Sequence, residues 1–246
     1  MADTEVVVVR AHRLGQPFWA QYERLVADLG QPRVFLMWDV THGPVPPQVQ
    51  AFHAACQTHV IEIDEATCKA MTPFHVNMYT ECESLLVHIA DRLDAVCPDW
   101  ARMWLIEYDV ACAGNWAATL AKAAHCTADL LATYVEHWTP HNHWGWGRLQ
   151  GALQPLARTP QEWKAFIPAM RLSRRAVDGS IKPSLGKASG YCESYFSTLL
   201  VRDGYSVGNL PPDMLGNFTC HCVPRHEWER CDTGADDRLW HAVKIV

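Results

Sequence analysis

Nothing in this chain approaches the roughly 18 consecutive apolar residues that a membrane-crossing helix needs. The segment after Met1 also lacks the basic region and cleavage site of a secretory leader. A soluble, intracellular, cytoplasmic protein is the expectation. Positive charge is scarce as well: 21 Lys and Arg stand against 27 Asp and Glu, a net charge of -6. Without a basic field to attract a phosphate backbone, a general nucleic-acid binder is excluded. Internal repeats, linkers and low-complexity stretches are missing. So is a disulfide framework, because ten Cys in 246 residues are too diluted for a small stapled fold. Cys56, Cys82, Cys97 and Cys126 lie singly in apolar patterns and read as small buried hydrophobes. The exception is the group Cys220, Cys222, His226 and Cys231, a candidate zinc set whose spacing matches no common zinc site.

What is present suits a packed α/β chain. Half the residues are hydrophobic (49%) and 20% are charged, enough apolar material for a full core. Glu5 to Arg10 is a β-branched run and predicts a central strand. Pro17 opens a helix through Leu29 with Phe18, Tyr22, Leu25, Val26 and Leu29 on one face, and Gly30 stands where a C-cap belongs. Val34–Trp38 predicts a second strand ending at Asp39, Val49–Cys56 a short helix, and His59–Ile63 a third strand. A long amphipathic helix is expected over Val76–Val96, closed by Pro98. The second half is less regular. It offers a helix over Asn115–Ala124, a strand over Asp129–Tyr134 and a Trp/His/Gly-rich loop from His137 to Gly147. A strand around Phe166–Met170 follows, whose Pro168 suits an edge. Ser173 caps a short helix, Ser184 to Gly190 forms a loop, and Tyr191–Val201 is helical; beyond Asn209 the chain is turn-rich. This alternation predicts a mostly parallel sheet with crossover helices on both faces.

The stretch that organises the rest is Trp104-Leu105-Ile106-Glu107-Tyr108-Asp109-Val110. A short apolar run reads as a buried strand, and two carboxylates appear where it leaves the core. Open α/β sheets bind ligands at the carboxyl ends of their strands. Carboxylate oxygens there suit Mn²⁺ or Mg²⁺, which bind through one or two carboxylates plus substrate phosphates. The competing reading is that Glu107 and Asp109 merely solvate a strand end.

Four pieces occur in order: a strand-helix-strand start, Glu107-Tyr108-Asp109 at mid-chain, Gly190-Tyr191-Cys192-Glu193, and His241. This order resembles the GT-A class of nucleotide-sugar-dependent glycosyltransferases. Trp104 to Val110, Arg171-Leu172-Ser173, Gly190 to Glu193 and Trp240-His241-Ala242-Val243-Lys244 resemble a group of GT-A-like proteins that carries Glu-Tyr-Asp in place of the more usual Asp-x-Asp.

The resemblance implies a single GT-A-like (Rossmann-like) domain over 1–246, with a nucleotide-binding half to about 110 and an irregular acceptor half from about 111. It implies a nucleoside-diphosphate sugar as donor, a glycan or small molecule as acceptor, and a divalent metal. Asp109 is then the main metal ligand, with Glu107 reaching the metal or the ribose, and His241 completes the metal or diphosphate site. Glu193 matches the catalytic base of inverting members, although an acid at a helix N-terminus is also favoured by the dipole alone. Glu107 is one methylene longer than the usual Asp, which leaves its metal contact direct or indirect.

By position, Arg10, His12 and Arg13 are candidates for phosphate or base, Asp39 for base or ribose, and Arg171 for an acid or phosphate. Trp144 and Trp146 offer flat faces to an acceptor sugar. Two rival functions remain open. A sugar-nucleotide pyrophosphorylase normally carries a glycine-rich loop after the first strand, whereas Ala11 to Gln16 has a single Gly. A zinc-stabilised binding module would instead use the Cys/His group. A catalytically silent scaffold of the same fold is the remaining alternative.

Overall fold

The computed structural model describes residues 4–13, 18–30, 33–56, 58–141, 148–220, 223 and 236–243. The chain begins β1 (Thr4–Ala11), α1 (Phe18–Leu29), β2 (Val34–Asp39), α2 (Pro47–Cys56), β3 (His59–Ile63). It continues α3 (Glu65–Met71), α4 (Glu83–Val96), β4 (Trp100–Glu107), β5 (Ala111–Cys112), α5 (Trp116–Ala121), β6 (Leu130–His137) and β7 (Gln150–Gly151). After β8 (Trp163–Ser173) come α6 (Arg174–Ala176), a π-turn over Val177–Ile181, α7 (Lys182–Ser184), β9 (Ala188–Ser189), α8 (Cys192–Arg202) and β10 (Val207–Asn209). Short strands β11 (Leu215–Phe218) and β12 (Leu239–His241) follow.

The central sheet has seven strands in the order β10-β6-β8-β4-β1-β2-β3. β3, β2, β1 and β4 run parallel, and β10 runs parallel to β6. β8 alone is antiparallel to its neighbours, β4 and β6. Alternation along each strand sends side chains to opposite faces. Val6, Val8, Phe35, Met37 and Leu105 join one core with residues of α4, α8 and the π-turn. Val7, Val9, Leu36, Trp104 and Ile106 join the other with Tyr22 and Leu25 of α1 and Trp116 and Leu120 of α5. Helices therefore cover both faces, as a GT-A-like α/β sheet requires.

Three local expectations are corrected. The expected Val76–Val96 helix begins only at Glu83. The carboxamide oxygen of Asn77 accepts the N–H groups of Tyr79 (2.9 Å) and Thr80 (3.0 Å), which turns the chain ahead of the helix. The preceding residues instead hold α3, whose N-cap Asp64 accepts from Thr67 N at 2.6 Å. β8 is an interior strand rather than an edge, and its Pro168 is buried. Pro168 falls where the β6–β8 register shifts between the Leu131 and Thr133 pairings and beyond the last β4 pairing at Ala169. A missing N–H costs least there. The turn-rich end also carries order: β12 lies between β11 and β5 in a second, three-stranded sheet.

No helix among the described residues is long and apolar enough to cross a membrane.

Candidate functional site

β4 ends at Glu107, and Tyr108-Asp109 form a turn closed by Val110 N donating to Glu107 O at 3.0 Å. Asp109 is therefore one turn beyond the strand rather than its last residue. The turn is stitched to the tail: Val243 N donates to Asp109 O at 2.8 Å, and β12 pairs antiparallel with β5 directly downstream of the acids. Trp240 packs so closely on Gly216 that a Cβ there would lie 2.4 Å from the indole. This stitching brings His241 over the acids. Its Nε2 lies 3.5 Å from Asp109 Oδ1 and 3.9 Å from Glu107 Oε2.

The imidazole is oriented from behind. His241 Nδ1 donates to Thr219 O at 2.5 Å, which leaves Nε2 facing the carboxylates. Phe166 and Phe218 flank the ring, with centroids 5.2 and 5.5 Å away. One ligand atom each from Glu107, Asp109 and His241 falls within 4.8 Å of the other two. An octahedral Mg²⁺ or Mn²⁺ with bonds of about 2.1 Å spaces its ligand atoms roughly 3.0–4.2 Å apart, and an oxygen, oxygen, nitrogen set suits such a cation. The residues fit a divalent metal.

Arg10 lies beneath this group, buried at the end of β1. One of its nitrogens pairs with Glu107 Oε1, and Nη1 donates to Cys82 Sγ at 3.1 Å. The two oxygens of Glu107 are thus divided, Oε1 to the guanidinium and Oε2 toward His241. Burial opposes the charge on Arg10, yet Glu107 and Cys82 more than offset it, and its pKa rises.

Beside this lie the residues of the β1 and β2 exits. His12 packs edge-on between Tyr79 (5.3 Å) and Tyr108 (4.8 Å), and Arg13 donates to the Tyr108 hydroxyl at 2.8 Å. Burial and the neighbouring Arg13 push the His12 pKa down, so its ring is neutral at pH 7. Asp39 accepts from Thr41 N at 2.8 Å and from the Tyr79 hydroxyl at 2.5 Å. Burial raises its pKa, but those hydrogen bonds outweigh it and leave the carboxyl below its usual range.

Glu193 occupies the first turn of α8 and is buried at 5% exposure, so it is no surface cap. Ahead of it, Gly190 lets the Arg148 backbone pack against the chain: a Cβ there would lie 3.0 Å from Arg148 O. Tyr191 is held protonated by burial and by the negative charge and hydrogen bond of Glu193, and it also feels Glu107.

The structure thus gathers Glu107, Asp109 and His241 into one cluster, with Arg10 against it and His12, Arg13 and Asp39 alongside. Arg171 lies apart. It pairs with Glu5 at 3.2 Å and donates to Ala123 O and Cys126 O, at the end of β1 opposite Arg10. Of its two expected partners, it has taken the acid. Trp144, Trp146, Cys222, His226 and Cys231 lie outside the described residues, and Cys220 is exposed. Sequence reasoning missed Tyr79, Thr41, Thr219 and the Arg10–Cys82 contact. No spacing signal marks them, because each acts across elements.

No family model matches this chain, and no curated protein does. Among solved structures 228 chains match. One is the crystal structure of the galactosyltransferase LgtC in complex with donor and acceptor sugar analogues. It aligns over 98% of this chain and 87% of its own, with a TM-score of 0.51 and 10% sequence identity. At that identity the likeness establishes the fold, a GT-A-like α/β sheet.

Proposed function

We propose that this protein is a divalent-metal-dependent glycosyltransferase that moves a sugar from a nucleoside-diphosphate donor to a hydroxyl of a glycan or small acceptor. The observation that carries the reading is the Glu107–Asp109–His241 cluster at the carboxyl exits of parallel strands in a GT-A-like sheet. Ligands in such sheets bind there. LgtC, which shares the fold, was captured with donor and acceptor sugar analogues. The nucleotide-binding half is residues 1 to about 110, and the remainder forms the acceptor half.

Asp109 and His241 Nε2 would hold the metal, with Glu107 Oε2 as the third ligand. A bound Mn²⁺ or Mg²⁺ supplies charge neutralisation for the leaving diphosphate. Arg10 keeps Glu107 aimed and adds positive charge beneath the diphosphate. Asp39 accepts from the base or ribose. The neutral His12 ring, between Tyr79 and Tyr108, lines the same end of the crevice, and Arg13 lies at its rim. Glu193, within a buried first turn, takes the proton from the acceptor hydroxyl as that oxygen bonds the anomeric carbon. A base on the face opposite the leaving group yields inversion. Trp144 and Trp146 stack on the acceptor ring.

Calorimetry with Mn²⁺ and a panel of nucleoside diphosphates tests the reading. Binding of at least one diphosphate that requires Mn²⁺ and disappears in Asp109→Ala is expected. Native protein that binds none of them, and is indistinguishable from Asp109→Ala, would falsify it.

A further inference from the structure

Two triplets of the chain repeat one another in matching places. Cys82-Glu83-Ser84 opens α4 and Cys192-Glu193-Ser194 opens α8. Cys82 is the N-cap of α4 and Cys192 is the first residue of α8. The two helix starts are joined, since Cys192 N donates to Thr80 O at 2.7 Å. Both sulfurs approach the same carbonyl oxygen, that of Tyr79, at 3.4 Å from Cys82 and 3.8 Å from Cys192. The shared carbonyl oxygen is what brings the two thiols to one place. Cys82 Sγ accepts from Arg10 Nη1, and Arg10 in turn holds Glu107. A thiol pair therefore stands one residue, Arg10, away from the acid cluster.

We propose that Cys82 and Cys192 form a reversible dithiol switch: a hydroperoxide joins them as a disulfide, and Arg10 loses the sulfur that seats it against Glu107. The disulfide does not depend on the glycosyltransferase reading; its effect on the metal site rests on that reading.

The chemistry balances. The Cys82 thiolate attacks one oxygen of hydrogen peroxide and the O–O bond breaks, giving a sulfenic acid and, with a proton, water. The Cys192 sulfur then attacks the Cys82 sulfur. The S–S bond forms, the S–O bond breaks, and hydroxide leaves as water with the proton from Cys192. Two thiols are oxidised by two electrons and one peroxide is reduced to two waters. An external thiol reverses the reaction.

The environment assigns the order. The adjacent Arg10 guanidinium favours a thiolate at Cys82, against the Met78 and Tyr79 carbonyl oxygens that its sulfur meets at 3.3 and 3.4 Å. Its pKa is lowered, first by the hydrogen bond with Cys192 and then by Arg10. Cys192, beside the Cys82 sulfur and under burial, has its pKa raised and keeps its proton. Both cysteines are almost fully buried, at 1% and 4% exposure, which selects an oxidant scarcely larger than water over a bulky disulfide.

The test uses the native protein, treated with hydrogen peroxide or with glutathione disulfide, then analysed by intact mass and peptide mapping. Peroxide is expected to remove two hydrogens, found in a Cys82–Cys192 linked peptide that dithiothreitol dissolves, while glutathione disulfide leaves the pair intact. Phenylglyoxal, an arginine-selective reagent, is expected to spare Arg10 in the reduced protein and modify it after oxidation. Mn²⁺ affinity then falls roughly tenfold to a hundredfold, the range for losing a group that orients a ligand. Cys192→Ser keeps the reduced-state affinity and loses the peroxide response. No linked peptide under conditions that oxidise the exposed Cys220 overturns the switch. A linked peptide with Arg10 still protected overturns the release of Arg10. Mn²⁺ that fails to bind even the reduced protein counts against the metal reading alone, since the mapping and labelling results stand without it.

Discussion

The backbone N–H of Val243 donates to the carbonyl of Asp109 at 2.8 Å, so the acid turn after β4 and the tail that carries His241 form one unit. A ligand contributed by a short strand is only as well placed as that strand. β12 holds its position by pairing with β5 and β11 and by seating Trp240 on Gly216.

Gly216→Val should therefore weaken the site without touching a ligand. The new side chain would enter the Trp240 ring, and overpacking of this kind costs about 1–3 kcal/mol. The expected outcome is a Mn²⁺ affinity at least about tenfold lower with an unchanged far-UV circular dichroism spectrum. Unaltered Mn²⁺ binding in a folded variant would show that β12 does not position His241.

The three ligands should be unequal. Asp109→Asn and His241→Gln each remove one of two ligands that stand 3.5 Å apart, and are expected to abolish measurable Mn²⁺ binding. Glu107→Gln gives up an oxygen aimed from 3.9 Å and a charge already shared with Arg10, so it should reduce affinity by less. Titration calorimetry of the three variants orders them; equal losses would argue against the divided roles of the Glu107 oxygens.

Glu193→Gln separates a base from a helix cap. A cap exchanged for the isosteric amide should cost only stability. A general base should cost about 10²–10⁴ in kcat with Mn²⁺ and nucleotide binding intact. Sugar release from the nucleotide donor, followed with and without acceptor, reads the difference; wild-type turnover in this variant removes Glu193 from the mechanism.

Stability should fall in acid for a reason far from the site. His53, inside α2, bonds Thr58 through Nδ1 at 2.5 Å and meets the Tyr22 hydroxyl at 3.4 Å. Burial pushes its pKa from the ordinary 6.5 down to about 4. The unfolded chain therefore binds a proton that the folded chain refuses. The neutral ring's contribution is complete above pH 6.5 and is lost as pH falls through the interval to about 4. Thermal melts should show Tm declining across that window in the native protein, and His53→Gln should flatten the decline. A slope identical in the two proteins would assign the acid sensitivity elsewhere.

How far these features could be read from residue order depends on their range. The strands at Val6–Val9 and Val34–Trp38 were legible because burial on both faces demands uninterrupted β-branched or large apolar runs. Glu107 and Asp109 were legible as charges at the end of such a run. Pro168 misled because its cost depends on which neighbours a strand has, and the register shift beside it is a property of the assembled sheet. α3 was overlooked although Asp64 and Thr67 carry a capping signal, and the start of α4 was placed too early because Asn77 takes the backbone donors that a helix would use. Tyr79 lies in that turn with no periodicity to mark it. It joins Asp39 to His12 only once β2 and β1 are side by side.

The position of β12 has a consequence for synthesis on the ribosome. The sheet strands through β8 and the helices of both faces are translated well before residue 241, so a nascent chain can settle its core while the imidazole is still inside the exit tunnel. A polypeptide that stopped short of β12 would lose Leu239 from one face of that core and His241 from the cluster.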